Sequence, residues 1–192
     1  MKSINKKKKV RAPEPQAVPL KLEPQLVPRT LWGKSASQLF KKRAIWKRIR
    51  ADALQTANGA CEVCQHVPNE IYGDPLNCHE VWKYDDRLRT ATLNAFKIHC
   101  GKCDSAAHIG MAIAYGAGDA AIAQLAKVNG IHAEDAKVLV SKAMSVWKIR
   151  SKKEWTLRIA KDLLTRYPEL TELISTKWTE DGKAFGDRCR SC

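Results

Sequence analysis

Two short stretches near the middle of the chain have the composition of β-strands, and the apolar residues on either side recur mainly at helical spacing. The predicted strands are residues 76–82 and 90–98, and the second is rich in β-branched and aromatic residues. Tyr84-Asp85-Asp86 lies between them and is typical of a polar turn. The pattern therefore predicts two strands joined by a turn.

Helical periodicity is found before and after these strands. Leu39, Trp46, Ile49 and Leu54 form an apolar stripe, which predicts a helix over residues 35–57. Glycine, asparagine and proline provide the stop signals. The other predicted helices are one that carries His108 and ends at Gly116 and Gly118, residues 119–128 closed by Asn129-Gly130, residues 132–148, and residues 157–167 stopped by Pro168.

Residues 1–29 differ from the rest of the chain in composition. A lysine run, Lys6 to Lys9, is followed by five prolines whose spacing suits neither helix nor sheet. We therefore expect a disordered basic arm. It lacks the apolar segment of a signal peptide, and no later segment has the length of a membrane span, so we expect a cytoplasmic protein without membrane contact.

The net charge of +14 and the pI near 9.6 point to a polyanionic partner. Self-repulsion of this size is relieved by nucleic acid, which the protein would hold mainly through phosphate groups. We expect DNA ahead of RNA. The candidate contacts lie on the first predicted helix and near residue 150: Lys41, Lys42, Arg43, Lys47, Arg48, Arg50, Lys152 and Lys153.

Two Cys-x-x-Cys pairs, Cys61-Glu-Val-Cys64 and Cys100-Gly-Lys-Cys103, are the most specific motif. This pattern is typical of a structural zinc ion held by four thiolates, and the alternative is a redox or incidental role for these thiols. A segment this short buries too little apolar surface to fold alone, so zinc would supply much of its folding free energy.

A third pair, Cys189-Arg-Ser-Cys192, has no second half in the chain. It is either a pair of spare thiols at a frayed terminus or part of a metal site shared with His66 or with a protein partner of the C-terminal tail.

The order of Cys-x-x-Cys, a strand ending in His79-Glu80, Cys-x-x-Cys and then His108 resembles the zinc-stapled HNH endonucleases, whose core is a ββα-metal unit. The resemblance implies a metal-dependent enzyme that hydrolyses phosphodiester bonds. His79 and His108 would hold a second divalent ion, Mg²⁺ or another, and Glu80 would activate water. A wider likeness to HNH-like bacterial and phage proteins covers about residues 30–165, through Trp32-Gly33, residues 78–86, Val128-Asn-Gly130 and Trp147.

Other alignments of this motif stay open. The alignment above makes His79 the ligand and Glu80 the base, whereas a shift by one residue makes Cys78 the ligand and His79 the base. The unshifted alignment is favoured, because it keeps Cys78 and Val81 at apolar positions of the family pattern. His99 is expected to face solvent or to cap a helix, because four thiolates are already available. Asp85 and Asp86 are expected to act at most indirectly on the ion.

Two departures from the family favour a different function. Ala95 stands where the family has its middle asparagine, and Asn94 would point to the other strand face. Asp104 stands where the family usually has histidine, and it is either a ligand or a helix N-cap. The alternative is therefore an inactive zinc-binding module for nucleic acid, or a structural subunit of a nucleoprotein or phage assembly.

Together these patterns predict an α+β protein in which a small ββα-metal core, stapled by a four-cysteine zinc site, is wrapped by several α-helices. The predicted units are the disordered arm 1–29, a basic amphipathic helix in 30–60, the zinc-bound HNH-like core 61–115, a helical shell 116–168 and a C-terminal tail 169–192.

Overall fold

The computed structural model describes residues 19–69 and 75–177. The fold is α+β, with a three-stranded sheet and with helices before, between and after its strands along the chain. The elements are α1 (Ala36–Phe40), α2 (Ala44–Thr56), β1 (Asn77–Asp85), β2 (Thr90–His99), α3 (Gly101–Ala107), α4 (Ile109–Ala114), α5 (Gly118–Asn129), α6 (Ala133–Arg150), β3 (Thr156–Ile159), α7 (Lys161–Arg166) and α8 (Thr171–Ser175), with short 3₁₀ helices at Arg29–Leu31 and Pro168–Leu170.

The predicted hairpin is present. Strand β1 pairs antiparallel with β2, so that His79 lies opposite Lys97. Asp85 closes the turn, because its Oδ1 accepts the backbone N–H groups of Arg87 at 2.9 Å and Leu88 at 2.8 Å. Both strands are longer than predicted, and β2 runs directly into Cys100 and α3.

The prediction of a helix over residues 157–167 is wrong in its first half. Residues Thr156–Ile159 form β3, which pairs in parallel with β2. Trp155 and Ile159 are buried while Thr156 and Arg158 are exposed, which is the alternation of a strand. This segment pairs with the edge of β2 that β1 leaves open, and α7 begins only at Lys161. Pairing with a distant strand thus overrides the local helical pattern.

The predicted helix over residues 35–57 is two helices. Ser35 caps α1 by accepting the N–H of Gln38, and Arg43 has extended backbone before α2. Phe40 and Ile45 are both buried, although residues five apart face different sides of a continuous helix. The break lets both side chains enter the core that also contains Leu93.

Residues 19–28, part of the predicted disordered arm, pack against the helices as an extended strap. Leu22 is buried, and its backbone N–H and C=O are both bonded to the side chain of Asn129, at 3.1 and 2.8 Å. The backbone N–H of Gln25 donates to the carbonyl of Ala107 at 2.8 Å. The prolines that exclude helix here are compatible with an extended chain, so the prediction of disorder is wrong for this stretch.

Substitution of Asn129 by alanine is expected to release this strap. It removes both side-chain bonds to Leu22, at an expected loss of about 1–3 kcal/mol in unfolding free energy. Limited proteolysis should then cut before α1 at a protease concentration that leaves the wild type intact. Lys127→Ala, an exposed change on the same helix, is the control, and equal cleavage of both variants would contradict the role assigned to Asn129.

Helices α5 and α6 form much of the predicted helical shell. Gly130 has the left-handed conformation, φ 64°, that ends α5 after Asn129, as the Asn-Gly signal predicts. The apolar side predicted for the next helix is confirmed, since Ala136 and Val140 are buried and Leu139 and Met144 pack against the same core. None of the helices within residues 19–69 and 75–177 combines the length and the apolar character needed to span a membrane.

Candidate metal centres

The four predicted zinc cysteines lie together. One sulfur atom from each of Cys61, Cys64, Cys100 and Cys103 lies within 4.8 Å of the other three. The Sγ atoms of Cys64 and Cys100 are 3.6 Å apart. Four thiolates at 2.3 Å from a tetrahedral zinc ion are about 3.8 Å from one another, so the cluster fits a metal ion such as zinc.

Backbone hydrogen bonds hold both cysteine pairs in place. In the first pair, the N–H of Gln65 donates to the carbonyl of Cys61 at 2.8 Å, and Gln65 has a φ of 60°. In the second, the carbonyl of Cys100 accepts the N–H of Asp104 in the first turn of α3. Each pair therefore sits on a tight turn, one before the hairpin and one at the start of α3, and a bound ion would tie these two parts of the chain together.

Burial raises the pKa of the thiols of Cys100 and Cys103, and a backbone hydrogen bond from Cys103 opposes the rise in the pKa of Cys100. Gln124 also donates to Cys103 Sγ at 3.2 Å and stabilises negative charge there. Without an ion these buried thiols keep their protons. Binding of zinc would displace the protons, and this couples metal affinity to the folding of the segment.

A second cluster is centred on His79 in β1. Its Nδ1 atom is 2.9 Å from Oδ1 of Asp104 in α3. Oδ2 of Asp104 accepts the side-chain amide of Asn77 at 3.1 Å. Burial acts to raise the pKa of the Asp104 carboxyl, but the bond from His79 and the nearby imidazoles outweigh it and lower the pKa. Asp104 is therefore a carboxylate that touches the predicted ligand.

His108 lies beside this cluster in the structure. Its ring centroid is 4.7 Å from that of His79, and its Nε2 is 3.8 Å from Oδ1 of Asp104. His108 lies at the junction of α3 and α4, and its side chain is 38% exposed, whereas that of His79 is fully buried. Burial lowers the pKa of His108, and its imidazole is the one in this group most open to solvent.

His99 is the residue of this site that the sequence failed to identify. It was expected to face solvent, yet it is buried, and its ring centroid is 4.4 Å from that of His79. Burial and then the neighbouring His79 lower the pKa of His99 to about 4. The register could have revealed it, because His99 lies opposite Asn77, two residues from His79 on the same face of β1.

Glu80, the predicted base, accepts hydrogen bonds from α1 and from its own strand. Its carboxylate accepts the backbone N–H of Ser37 at 2.8 Å, that of Ala36 at 3.4 Å and the indole N–H of Trp82 at 3.2 Å. Burial raises the pKa of the Glu80 carboxyl, although these donors oppose the rise. His79 thus contacts α3 while Glu80 contacts α1, as expected of neighbours on a strand.

The alternative residues of the motif lie elsewhere. Cys78 belongs to neither cluster, and burial raises the pKa of its thiol to about 12. The ladder shifts between Val81 and Trp82, which pair with Ala95 and Leu93, so Asn94 is the extra residue of a β-bulge.

The two aspartates of the hairpin turn have structural partners. Asp85 caps the turn, and Asp86 forms an ion pair with Arg150 at 2.6 Å. Within the described residues neither forms a hydrogen bond or an ion pair with the histidine cluster, and both fit the polar turn that the sequence also predicts.

The predicted nucleic-acid contacts divide into two groups. Arg43 pairs with Glu172 at 2.6 Å, Arg48 pairs with Glu169 at 3.0 Å, and Arg50 donates to the carbonyl of Leu76 at 2.8 Å, so these three have intramolecular partners. The lysines keep exposed positions on the surface or, for Lys153, a half-buried one: Lys41, Lys42, Lys47, Lys152 and Lys153.

Comparison with known proteins gives no match: no protein-family model, no curated protein and no solved structure is similar to this chain. A functional proposal therefore depends on the residues of the two clusters and on the charge around them. The third cysteine pair, Cys189 and Cys192, lies outside the described residues, as does the lysine run Lys6 to Lys9.

Proposed function

We propose that this protein is an HNH-like nucleic-acid-binding protein that hydrolyses phosphodiester bonds with a second divalent ion. The observation that carries the proposal is the convergence of His79 from the hairpin with Asp104 and His108 from the following helices. The cysteine cluster at the ends of the same hairpin supports it, because zinc there would fix the position of β1 relative to α3.

The donor set suits a divalent ion. It offers buried imidazole nitrogen together with one carboxylate, and Asp104 orients the His79 ring in the way that carboxylates orient metal-binding histidines. A divalent ion bound there would neutralise charge on the scissile phosphate and lower the pKa of a bound water molecule. His108, as the exposed imidazole, lies where a substrate phosphate or water would approach.

The expected test is cleavage of a supercoiled plasmid in the presence of Mg²⁺, Mn²⁺ or Ni²⁺. Wild-type protein should nick the plasmid, and His79→Ala should reduce the rate at least about 100-fold, because it removes a ligand that Asp104 holds in place. His132→Ala, a change of an exposed histidine at the start of α6, is the matched control and should leave the rate unchanged. Equal rates for wild type and His79→Ala would refute the enzymatic proposal.

Nucleic acid would be held by the lysines of the α1–α2 region. Lys41, Lys42 and Lys47 are exposed there. Replacing all three by alanine should weaken binding to duplex DNA and reduce the slope of log affinity against log salt by about 2 to 3, since each phosphate contact contributes about 0.9.

The control for this surface is the pair Lys127→Ala and Lys142→Ala, which removes exposed lysines from α5 and α6. It should change the salt slope far less, as measured by fluorescence anisotropy from low to physiological salt. A wild-type affinity that hardly depends on salt would contradict phosphate-dominated binding.

A second function is favoured by the contacts of Glu80. A carboxylate bonded to Ser37 and Trp82 is not positioned as a free base, and Ala95 lacks the amide that the family has. These features support a zinc-stapled module that binds nucleic acid, in a nucleoprotein or phage assembly, without cutting it. Salt-dependent binding without any nicking would favour this alternative.

A further inference from the structure

Two buried imidazoles at the hairpin end have ring nitrogens without partners. His79 and His99 are each 2% exposed. Nε2 of His79 and Nδ1 of His99 are buried, and neither forms a hydrogen bond with any residue of the described ranges 19–69 and 75–177. Leaving a buried polar atom unpaired costs about 1–3 kcal/mol, so two such atoms in contacting rings are a substantial penalty.

The neighbours of the two rings identify what would relieve this penalty. The rings are 4.4 Å apart and nearly parallel, at 19°, and Asp104 supplies a carboxylate to the same group. One potential ligand atom from each of His79, His99 and Asp104 lies within 4.8 Å of the other two. Two nitrogen ligands of one tetrahedral zinc ion are about 3.4 Å apart, so ligand atoms within 4.8 Å of each other need to shift by at most about 1.4 Å to bind a single ion.

The charged groups near the two rings include one carboxylate that could offset the charge of an ion. Lys97, beside His99, and His108, beside His79, are the other basic groups that face these rings, whereas Asp104 is their acidic neighbour. A neutral imidazole keeps a lone pair for a metal, and the nearby carboxylate of Asp104 would compensate part of the charge of an ion held by the two imidazoles.

We propose that His99 is a protein ligand of the second ion, which is held by Nε2 of His79 and Nδ1 of His99 while Asp104 orients the His79 ring through Nδ1, and that the site therefore selects a transition metal such as Zn²⁺, Co²⁺ or Ni²⁺ over Mg²⁺. This deepens the proposed function, because it concerns the ion on which that function depends. Two imidazole ligands suit these metals, whereas Mg²⁺ prefers oxygen ligands and bound water. His108 then stands beside the ion on the solvent side rather than completing the buried set.

The direct experiment records imidazole ¹⁵N signals of full-length protein whose cysteine site is already loaded with zinc. Addition of one further equivalent of Zn²⁺ should shift a ring nitrogen of both His79 and His99, while His132, exposed at the start of α6, stays unchanged. The same amount of Mg²⁺ should shift neither ring. Shifts of His79 and His108 without His99 would overturn this inference and leave the proposed function standing. Absence of any shift in the three rings would overturn both.

A variant provides an independent measurement. His99→Gln should weaken binding of Co²⁺ to the zinc-loaded protein at least 10-fold by calorimetry, with His132→Gln as the matched control. Retention of the zinc bound by the four cysteines shows that the variant is folded. An affinity for Co²⁺ equal to that of wild type would refute the role of His99, and so would tighter binding of Mg²⁺ than of Co²⁺ by the wild type. If His99→Gln also loses the cysteine-bound zinc, the ¹⁵N shifts of the wild-type protein decide.

Discussion

Replacement of Cys103 by alanine is expected to remove one zinc ion per chain and to unfold the hairpin together with α3. Cys103 is fully buried in the four-cysteine cluster, and its loss leaves three thiols that no longer satisfy a tetrahedral ion. Structural zinc contributes about 10–16 kcal/mol of apparent binding free energy in small zinc domains. Because whole domains are stable by only about 5–15 kcal/mol, no fold of this segment should survive without the ion.

Metal analysis by mass spectrometry and hydrogen exchange of the β1 and β2 amides measure this outcome. Cys78→Ala is the matched control, because Cys78 lies in β1 but outside the cluster. It should keep the wild-type zinc content and protected strands. A Cys103→Ala protein with unchanged zinc content, or with β1 and β2 amides protected to the wild-type level, would show that the cluster does not hold the fold together.

Replacement of Glu80 by alanine is expected to lower the unfolding free energy by about 2–4 kcal/mol. The change leaves the N–H of Ser37 and the indole N–H of Trp82 without their acceptor, and hydrogen bonds to a charged group are worth about 1.5–3 kcal/mol each. The expected loss is smaller than their sum, because the variant no longer has to bury a carboxylate. Chemical denaturation measures the loss. Glu154→Ala, a change of an exposed glutamate, should stay within about 0.5 kcal/mol of wild type.

A further variant, Glu80→Gln, separates the two roles considered for Glu80. A structural role predicts that Glu80→Gln, which keeps one acceptor oxygen, recovers part of the stability and leaves any cleavage rate per folded molecule within a few-fold of wild type. A role as base predicts the reverse, with normal stability and cleavage at least about 100-fold slower. Normal stability of Glu80→Ala would contradict the role given to its contacts with α1.

Much of the fold could be predicted where the signal is local. The hairpin follows from β-branched and aromatic residues around a polar turn, and the end of α5 follows from Asn129-Gly130, which needs the left-handed conformation. The prediction failed where distant contacts decide. Thr156–Ile159 becomes a strand because β2 has an open edge, and α1 separates from α2 because Phe40 and Ile45 enter the same core.

The candidate site shows the same difference between residues that local sequence identifies and residues that only distant contacts bring together. His79 and His108 were found from their order around the cysteine pairs, and the structure brings them together. His99 was set aside because four thiolates were already available for the zinc ion beside it, and only the antiparallel register and the packing of α3 bury it against His79. Arg43 and Arg48 were assigned to nucleic acid from their charge alone. Their ion pairs with Glu172 and Glu169 could not be seen in the sequence, because these residues meet only in the folded chain.

The sequence by itself determined the two paired-cysteine turns, the strongly basic character of the chain and the two strands between the pairs, because each depends on residue type and short spacing. The tertiary structure alone decided which side chains share a site: it placed Asp104 and His99 beside His79 and turned Glu80 towards α1. The physical reason is that these contacts depend on strand register and helix packing, which join residues far apart in the chain.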